Sequence, residues 1–180
     1  KKGGLSDLTA FEMLEDDSKN IWITTYSGGA DIINHATRKI KYLKRINGLT
    51  NDTLAAMAKD KNGQVWVADG NGQLNQIDIN RGTIKKYNQL HGLRKNYTFN
   101  LAFDHKDRLW AGTVQGIALL DPGRGVSRFI DEKDGLAGNV SVSSIPDDNK
   151  RMWVATLKGL NIIGQNGETV HPLGTTPVIS

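Results

Sequence analysis

The chain of 180 residues lacks cysteine and has no long apolar run. Without cysteine it can form neither a disulfide framework nor a thiolate metal site. No apolar stretch approaches the roughly 18 residues that a membrane-spanning helix requires, so we expect no membrane contact from this segment. Its 23 Lys and Arg are interspersed with 19 Asp and Glu, a pattern typical of a solvated surface rather than of a nucleic-acid interface.

Tryptophan is scarce but regularly placed. Its four copies occur at intervals of 44, 44 and 43 residues. An Asp stands six residues before each Trp, a Gly six residues after it, and a Gly-Leu pair has its leucine eleven residues before that Asp. The tryptophans are Trp22, Trp66, Trp110 and Trp153, and the acids are Asp16, Asp60, Asp104 and Asp147. A period of this length predicts a tandem array of supersecondary units.

The second unit shows the internal pattern of the repeat. Alternation at Thr53, Ala55 and Met57 predicts a first strand, here called a. The apolar run around Trp66 predicts strand b, covered on both faces. Turn signals then separate strand c, at 74–78, from strand d, whose lysines are typical of an exposed sheet edge. Without any 3.6-residue spacing a paired-helix solenoid is excluded, and four-stranded antiparallel units in tandem predict a β-propeller.

The repeat resembles the two-component regulator propeller repeat. In the second unit the resemblance rests on Leu49, Asn51, Asp60, Gly63, Trp66, Ala68, Gly72 and Asp78, and in the third on Leu93, Asn96, Asp104, Trp110, Gly116 and Asp121. The first unit departs with Lys19-Asn20, and the fourth with Gly164 in place of the Asp that closes strand c, as terminal repeats often do. The resemblance covers about residues 4–173.

This resemblance implies a function and a location. In that family the repeats form large propellers in the periplasmic sensor region of bacterial hybrid two-component systems, where they are implicated in sensing carbohydrates and signalling to a histidine kinase. The resemblance therefore implies a periplasmic sensor segment of a parent protein that is anchored in the inner membrane. Fold alone does not fix function, so the loops must be considered on their own chemistry.

We predict an all-β chain, a single β-propeller segment over residues 1–180 with four four-stranded antiparallel blades. The repeats are 4–47, 48–91, 92–134 and 135–174. Because the chain starts in mid-register, we expect an arc of a larger propeller or half of a dimeric ring. An open arc leaves an apolar face at each end, which the remaining blades of the parent chain or self-association must cover. Two copies joined head to tail would give an eight-bladed ring.

Seven loop residues are candidates for ligand binding. Ligands of propellers usually meet the end formed by the b–c and d–a loops, and positions that differ between the copies are informative there. Aromatic rings beside amides and cations suit a sugar, which stacks its C–H face and needs donors and acceptors for its hydroxyls. The candidates are Tyr26, Asn71, Arg94, Lys95, Tyr97, Gln115 and Lys158. The alternative interpretation is that they are ordinary solvated loop residues.

The repeated acids and tryptophans are interpreted as structural, the Asp capping turns and the Trp packing in the core. No nucleophile with a positioned base, phosphate loop or metal-ligand spacing is visible, so we expect no catalytic residue, cofactor or metal. The favoured function is an extracytoplasmic module that senses an oligosaccharide or another small ligand. Two alternatives stay open: a protein-interaction scaffold, and a propeller lyase, which would need a His and an acid on the channel face.

Overall fold

The computed structural model describes residues 4–164 and a strand at 169–173, and within these ranges the chain is built from four four-stranded antiparallel sheets. In every sheet the strands pair in chain order, which confirms the predicted meander. The strands are β1 (Ala10–Glu15), β2 (Ile21–Thr25), β3 (Ala30–Ile33), β4 (Ile40–Leu43), β5 (Leu54–Lys59), β6 (Val65–Asp69), β7 (Leu74–Asp78), β8 (Thr83–Tyr87), β9 (Thr98–Phe103), β10 (Leu109–Thr113), β11 (Gly116–Asp121), β12 (Gly125–Ile130), β13 (Ser141–Pro146), β14 (Met152–Thr156), β15 (Gly159–Ile163) and β16 (Thr169–Leu173). We call the four sheets blades 1 to 4.

Three single turns of 3-10 helix join the blades, at Arg45–Asn47, Gln89–His91 and Glu132–Asp134. Each ends at the glycine of a Gly-Leu pair, and that glycine adopts the left-handed conformation that a side chain would disfavour. The leucine that follows is buried in all three cases. The Gly-Leu pairs therefore end the connection and anchor the start of the next blade. Among the described residues, no helix has the length and apolar character needed to cross a membrane.

The chain divides into two compact units, residues 1–98 and 99–180. In the first unit Trp22 of β2 lies in one buried cluster with Met57, Val65 and Val67 of blade 2. The second unit repeats the arrangement, since Trp110 of β10 clusters with Met152, Val154 and Ile163 of blade 4. Within each unit the leading blade thus turns its tryptophan towards the blade that follows it.

The burial of the four tryptophans is not uniform. Trp22, Trp66 and Trp110 are fully buried, as predicted. For Trp153 the prediction of a sealed indole is wrong, because this ring is only half-buried. It belongs to β14 of blade 4, the last of the described blades.

The a–b turns carry the repeated acids, and a hydrogen bond from the indole N–H to the acid recurs in all four. In blade 2, Oδ1 of Asp60 accepts the backbone N–H groups of Asn62 and Gln64 at 2.9 Å, and Oδ2 accepts the indole N–H of Trp66 at 3.0 Å. The indole-to-carboxylate distances in blades 1, 3 and 4 are 2.9, 3.0 and 2.8 Å. The predicted role of these acids as turn caps is confirmed, and each also fixes the indole of its own blade.

These hydrogen bonds lower the pKa of the acids in blades 1 and 3. Burial by itself would raise the pKa of Asp16 and Asp104. The indole and backbone donors, joined by the Asn20 amide at Asp16 and the Arg108 guanidinium at Asp104, outweigh burial and hold the pKa of both carboxyls below the ordinary value. Because the folded-state pKa is lowered, the stability that the ionised acids contribute is present above the unfolded-state pKa and is lost as the pH falls through the folded one.

The fourth position of this turn requires a left-handed backbone. Its φ angles are 65° at Lys19, 75° at Gly63, 60° at Asp107 and 63° at Lys150. Only blade 2 has glycine at this position. The departure of blade 1 from the repeat pattern at Lys19 therefore changes the residue type and leaves the turn geometry unchanged.

The third strand of a blade also holds the segment that follows the Gly-Leu pair. In blade 2 the Asn75 amide accepts the N–H of Thr50 at 3.0 Å and donates to its hydroxyl at 2.8 Å. Asn161 holds the backbone at Ala137 and Gly135 in the same way in blade 4. Blade 1 has Asp31 instead, which accepts the N–H of Ser6 at 2.7 Å and leaves Oδ1 buried without a partner.

We expect Asp31→Asn to raise the free energy of unfolding by about 1 kcal/mol, because a buried oxygen without a donor costs roughly 1–3 kcal/mol. The amide that replaces it could donate to the Ser6 hydroxyl, as Asn75 donates to Thr50. Urea denaturation measures the change. The reciprocal variant Asn75→Asp is the matched control and should lose stability; a loss of stability in Asp31→Asn would contradict the assignment.

Candidate functional site

In the first unit the b–c loop of blade 2 is wedged between two other segments. The N–H of Gly70 donates to the carbonyl of Thr53 at 3.0 Å. Gly72 has a φ of +77°, and a Cβ at this position would lie 2.2 Å from the carbonyl oxygen of Asn96. Only glycine allows so close an approach. Asn71 is therefore held, exposed, between the start of blade 2 and the loop that leaves it.

The loop from β8 to β9 supplies three more of the predicted residues. A tight turn, in which the N–H of Asn96 donates to the carbonyl of Arg94 at 3.0 Å, shapes this loop. The side chains of Arg94 and Lys95 are exposed, and Tyr97 is half-buried. The structure thus brings Asn71 together with Arg94, Lys95 and Tyr97, a set of four that we call the loop cluster.

Tyr26 does not join the loop cluster. Its ring lies edge-on to Phe11 of β1, with centroids 6.2 Å apart, and its N–H donates to the carbonyl of Thr9. The neighbouring Ser27 hydroxyl donates to the carboxylate of Asp7. Tyr26 is 58% exposed, and both of these contacts tie it to the start of blade 1.

In the second unit the structure places Gln115 and Lys158 on either side of one loop. Gly116, next to Gln115, donates its N–H to the carbonyl of Asn139 at 2.6 Å. The stem of Lys158 lies against Gly138, and its ammonium group pairs with Glu132 at 2.8 Å. Lys158 thus already has an internal role, since it ties the b–c loop of blade 4 to the 3-10 turn before that blade.

Sequence reasoning missed Asp69, which lies at the base of the loop cluster. At this position the other blades have Thr25, Thr113 and Thr156, whose hydroxyls donate to the carbonyls of Gly29, Gly116 and Gly159. Asp69 has no such hydroxyl; its Oδ1 accepts the N–H groups of Asn71 at 2.8 Å and Gln73 at 3.0 Å, and its Oδ2 is buried without a partner. The sequence did offer a signal for this residue, because Asp69 replaces the threonine that the other three repeats have at this position.

The histidines are dispersed. His35 lies in the c–d turn of blade 1, and His105, in the a–b turn of blade 3, contacts the carbonyl of Asp147. His91 belongs to a 3-10 turn and contacts Asn88 and the ring of Tyr87. The side chain of His171 lies outside the described residues. In the described part of the chain, no three His, Cys, Asp or Glu residues are grouped so that they could hold a metal ion.

Comparison with known proteins gives structural matches only. No protein-family model matches the chain, and no curated protein matches its sequence. The extracellular domain of the hybrid two-component system BT3049 from B. thetaiotaomicron matches with a TM-score of 0.78 at 21% identity, over 91% of this chain and 23% of that one. The extracellular domain of the hybrid two-component system BT4673 from the same organism gives 0.79 at 20%, over 98% and 25%.

A lyase is also similar. A catalytically inactive virginiamycin B lyase from Staphylococcus aureus, solved with quinupristin, matches with a TM-score of 0.76 at 16% identity, over 93% of this chain and 56% of that one. The present chain thus spans about a quarter of the two extracellular domains and just over half of the lyase. At these identities the likeness concerns the fold, and this chain has the β-propeller fold found in extracellular domains of bacterial two-component systems.

Proposed function

We propose that this chain is part of the extracytoplasmic ligand-sensing domain of a two-component signalling protein and that it is not itself an enzyme. The observation that carries the proposal is the loop cluster, in which Asn71 and the segment 94–97 lie together on the end of the first unit that bears the b–c and d–a loops. The structural likeness to extracellular domains of two-component systems supports the context.

An oligosaccharide suits the chemistry of the loop cluster. The Tyr97 ring offers a face for stacking, the Asn71 amide both donates and accepts, and the cations of Arg94 and Lys95 donate to hydroxyl or carboxylate oxygens. Glycine at position 72 brings the two loops close enough for one ligand to contact both. The same proposal includes a periplasmic location for this chain and signalling from it to a histidine kinase elsewhere in the parent protein.

A lyase is the less favoured alternative. It needs a histidine beside an acid at the ligand-binding end, and His35 and His105 lie in turns at the opposite end of their blades. His91 is nearer to the loop end, but its Nδ1 is engaged with Asn88. The positions of these three histidines favour sensing.

Calorimetry against a panel of oligosaccharides tests the proposal. We expect at least one member to bind, and both Tyr97→Ala and Asn71→Ala to weaken that binding by about tenfold, since each removes one contact worth roughly 1.4 kcal/mol. Tyr26→Ala, which removes an equally large ring outside the cluster, should leave the affinity unchanged. Absence of heat from every sugar, or equal losses in the Tyr26 and Tyr97 variants, would contradict the proposal.

We further propose that this chain associates with a second copy through two exposed sheet faces. The first face is that of blade 1, where Met13 is 71% exposed, although its counterpart Met57 in blade 2 is buried in the cluster of Trp22. The second is the Trp153 face of blade 4, where Ile145, the cross-strand partner of Trp153, is 61% exposed. Within the first unit, the Trp22 face of blade 1 packs against the Met57 face of blade 2. The Trp153 face of one copy and the Met13 face of the other correspond to these two faces, so a head-to-tail pairing is favoured.

A further inference from the structure

A cavity of about 180 Å³ lies between blades 1 and 2, near their outer strands. Most of its wall is apolar: Trp22, Ile32 and Leu43 come from blade 1, and Ile77 and Ile84 come from blade 2. Lys41 and Asp78 also line it. Apolar cavities of about 150 Å³ in proteins are large enough to take up a molecule of the size of benzene.

The cavity has a local cause in the sequence. The place that Leu43 occupies in blade 1 is taken in blade 2 by Tyr87, which pairs with Leu74 as Leu43 pairs with Ala30. The Tyr87 ring is fully buried and lies 5.0 Å from the Trp66 ring, and its hydroxyl donates to Gln76 at 3.0 Å. Leucine lacks this ring, so the equivalent space beside Trp22 stays open.

The charged groups at the cavity differ in how well they are paired. The carboxylate of Asp78 accepts the N–H groups of Asn80 and Arg81 and the amide of Gln64. The side chain of Lys41 forms no hydrogen bond or ion pair with any described residue, although it lies on the same face of its sheet as Ile32, its cross-strand partner.

Blades 2 and 3 have a cation at the position equivalent to Lys41, and in both blades that cation has a partner. Lys85 occupies the same position in blade 2 and lies 5.1 Å from the centre of the Tyr87 ring. In blade 3 the position is held by Arg128, which pairs with Asp134 at 3.3 Å. Of the cations at these three equivalent positions, Lys41 alone has no such partner among the described residues, and it lies beside the cavity.

We propose that this cavity binds a small carboxylate whose apolar body is about the size of one benzene ring. The body contacts Ile32, Leu43 and Ile84, and the carboxylate pairs with the ammonium group of Lys41. This site lies on the outer strands and is separate from the loop cluster, so it is a second binding function that does not depend on the first.

Benzoate is the probe, and nuclear magnetic resonance of the isotope-labelled chain is the readout. We expect the indole N–H signal of Trp22 and the methyl signals of Ile32 and Ile84 to shift saturably, with a Kd on the order of 1 mM. Signals of Trp110 and Trp153 should not move. Benzamide, which has the same shape without the charge, should bind at least threefold more weakly, as expected for loss of a solvent-exposed ion pair.

Substitutions at four positions identify the site. Lys41→Met should reduce benzoate affinity to that of benzamide, whereas Lys85→Met, the same change in blade 2, should leave it unaltered. Leu43→Tyr should abolish binding by filling the cavity as Tyr87 fills its counterpart, and Ile84→Phe serves the same purpose should the tyrosine variant fail to fold. The proposal is overturned if benzoate moves none of these signals at tens of millimolar, if Lys41→Met binds like the unaltered chain, or if a folded cavity-filling variant still binds.

Discussion

Asp60→Ala is expected to lower the free energy of unfolding by about 3 kcal/mol. The carboxylate accepts three hydrogen bonds at one turn, and the indole N–H of Trp66 that it accepts belongs to a fully buried ring. A buried donor that loses its acceptor costs about 1–3 kcal/mol, and two backbone N–H groups of the turn lose theirs as well. Urea denaturation followed by tryptophan fluorescence gives the loss.

Asp147→Ala is the control, because it removes the acceptor of the Trp153 indole N–H from the equivalent turn of blade 4. Asp147 also accepts one backbone N–H there and pairs with the partly exposed Arg151 at 2.7 Å. Trp153 is only half-buried there, so water can replace the missing acceptor and the loss should be clearly smaller. Arg151→Met measures what the ion pair with Asp147 contributes. Equal losses in the two acid variants after that contribution is subtracted would contradict the role assigned to the buried indole hydrogen bond.

Met13→Glu is expected to convert an associated form of this chain into monomers. If Met13 is covered in the assembly as Met57 is covered within the first unit, a carboxylate at that place would be buried without a partner. The dissociation constant should then rise by about a hundredfold or more. Light scattering after size-exclusion chromatography measures the mass, and Leu90→Glu, at a residue that is 91% exposed in a 3-10 turn, should leave the mass unchanged.

The direction of association can be tested by mixing variants. Ile145→Glu should also give monomers, because it places a charge on the Trp153 face. A Met13→Glu chain keeps the Trp153 face and an Ile145→Glu chain keeps the Met13 face, so head-to-tail pairing predicts that the mixture forms a dimer with one intact interface. A monomeric unaltered chain would refute the association, and a mixture that stays monomeric would refute its head-to-tail direction.

The repeat pattern was sufficient to predict the blades, because each marker acts within a few residues of itself. Asp60 reaches Trp66 across one turn, and the left-handed position at Gly63 belongs to the same turn. Strand c of blade 2 was predicted at Leu74–Asp78, and the structure has it at the same residues. Such short-range chemistry is repeated in every copy, so the sequence displays it four times.

The candidate site was only partly predictable. Variation between copies indicated the right loops, but only the contact between Gly72 and Asn96 shows that Asn71 lies beside the segment 94–97. Tyr26 was an equal candidate by sequence, and its packing on Phe11 separates it from the loop cluster. Asp69 differed visibly from the threonines of the other copies, yet its unpaired oxygen is apparent only when the loop is folded.

By itself the sequence determined the fold class, the four strands of each unit and the capping of each a–b turn, since these depend on local alternation and on hydrogen bonds between near neighbours. Packing between blades decided the rest. Whether Trp153 is covered, whether Leu43 leaves a cavity beside Trp22 and which loop residues meet all depend on what the adjacent sheet places opposite them. Those partners lie some 40 residues away along the chain, beyond the reach of any local pattern.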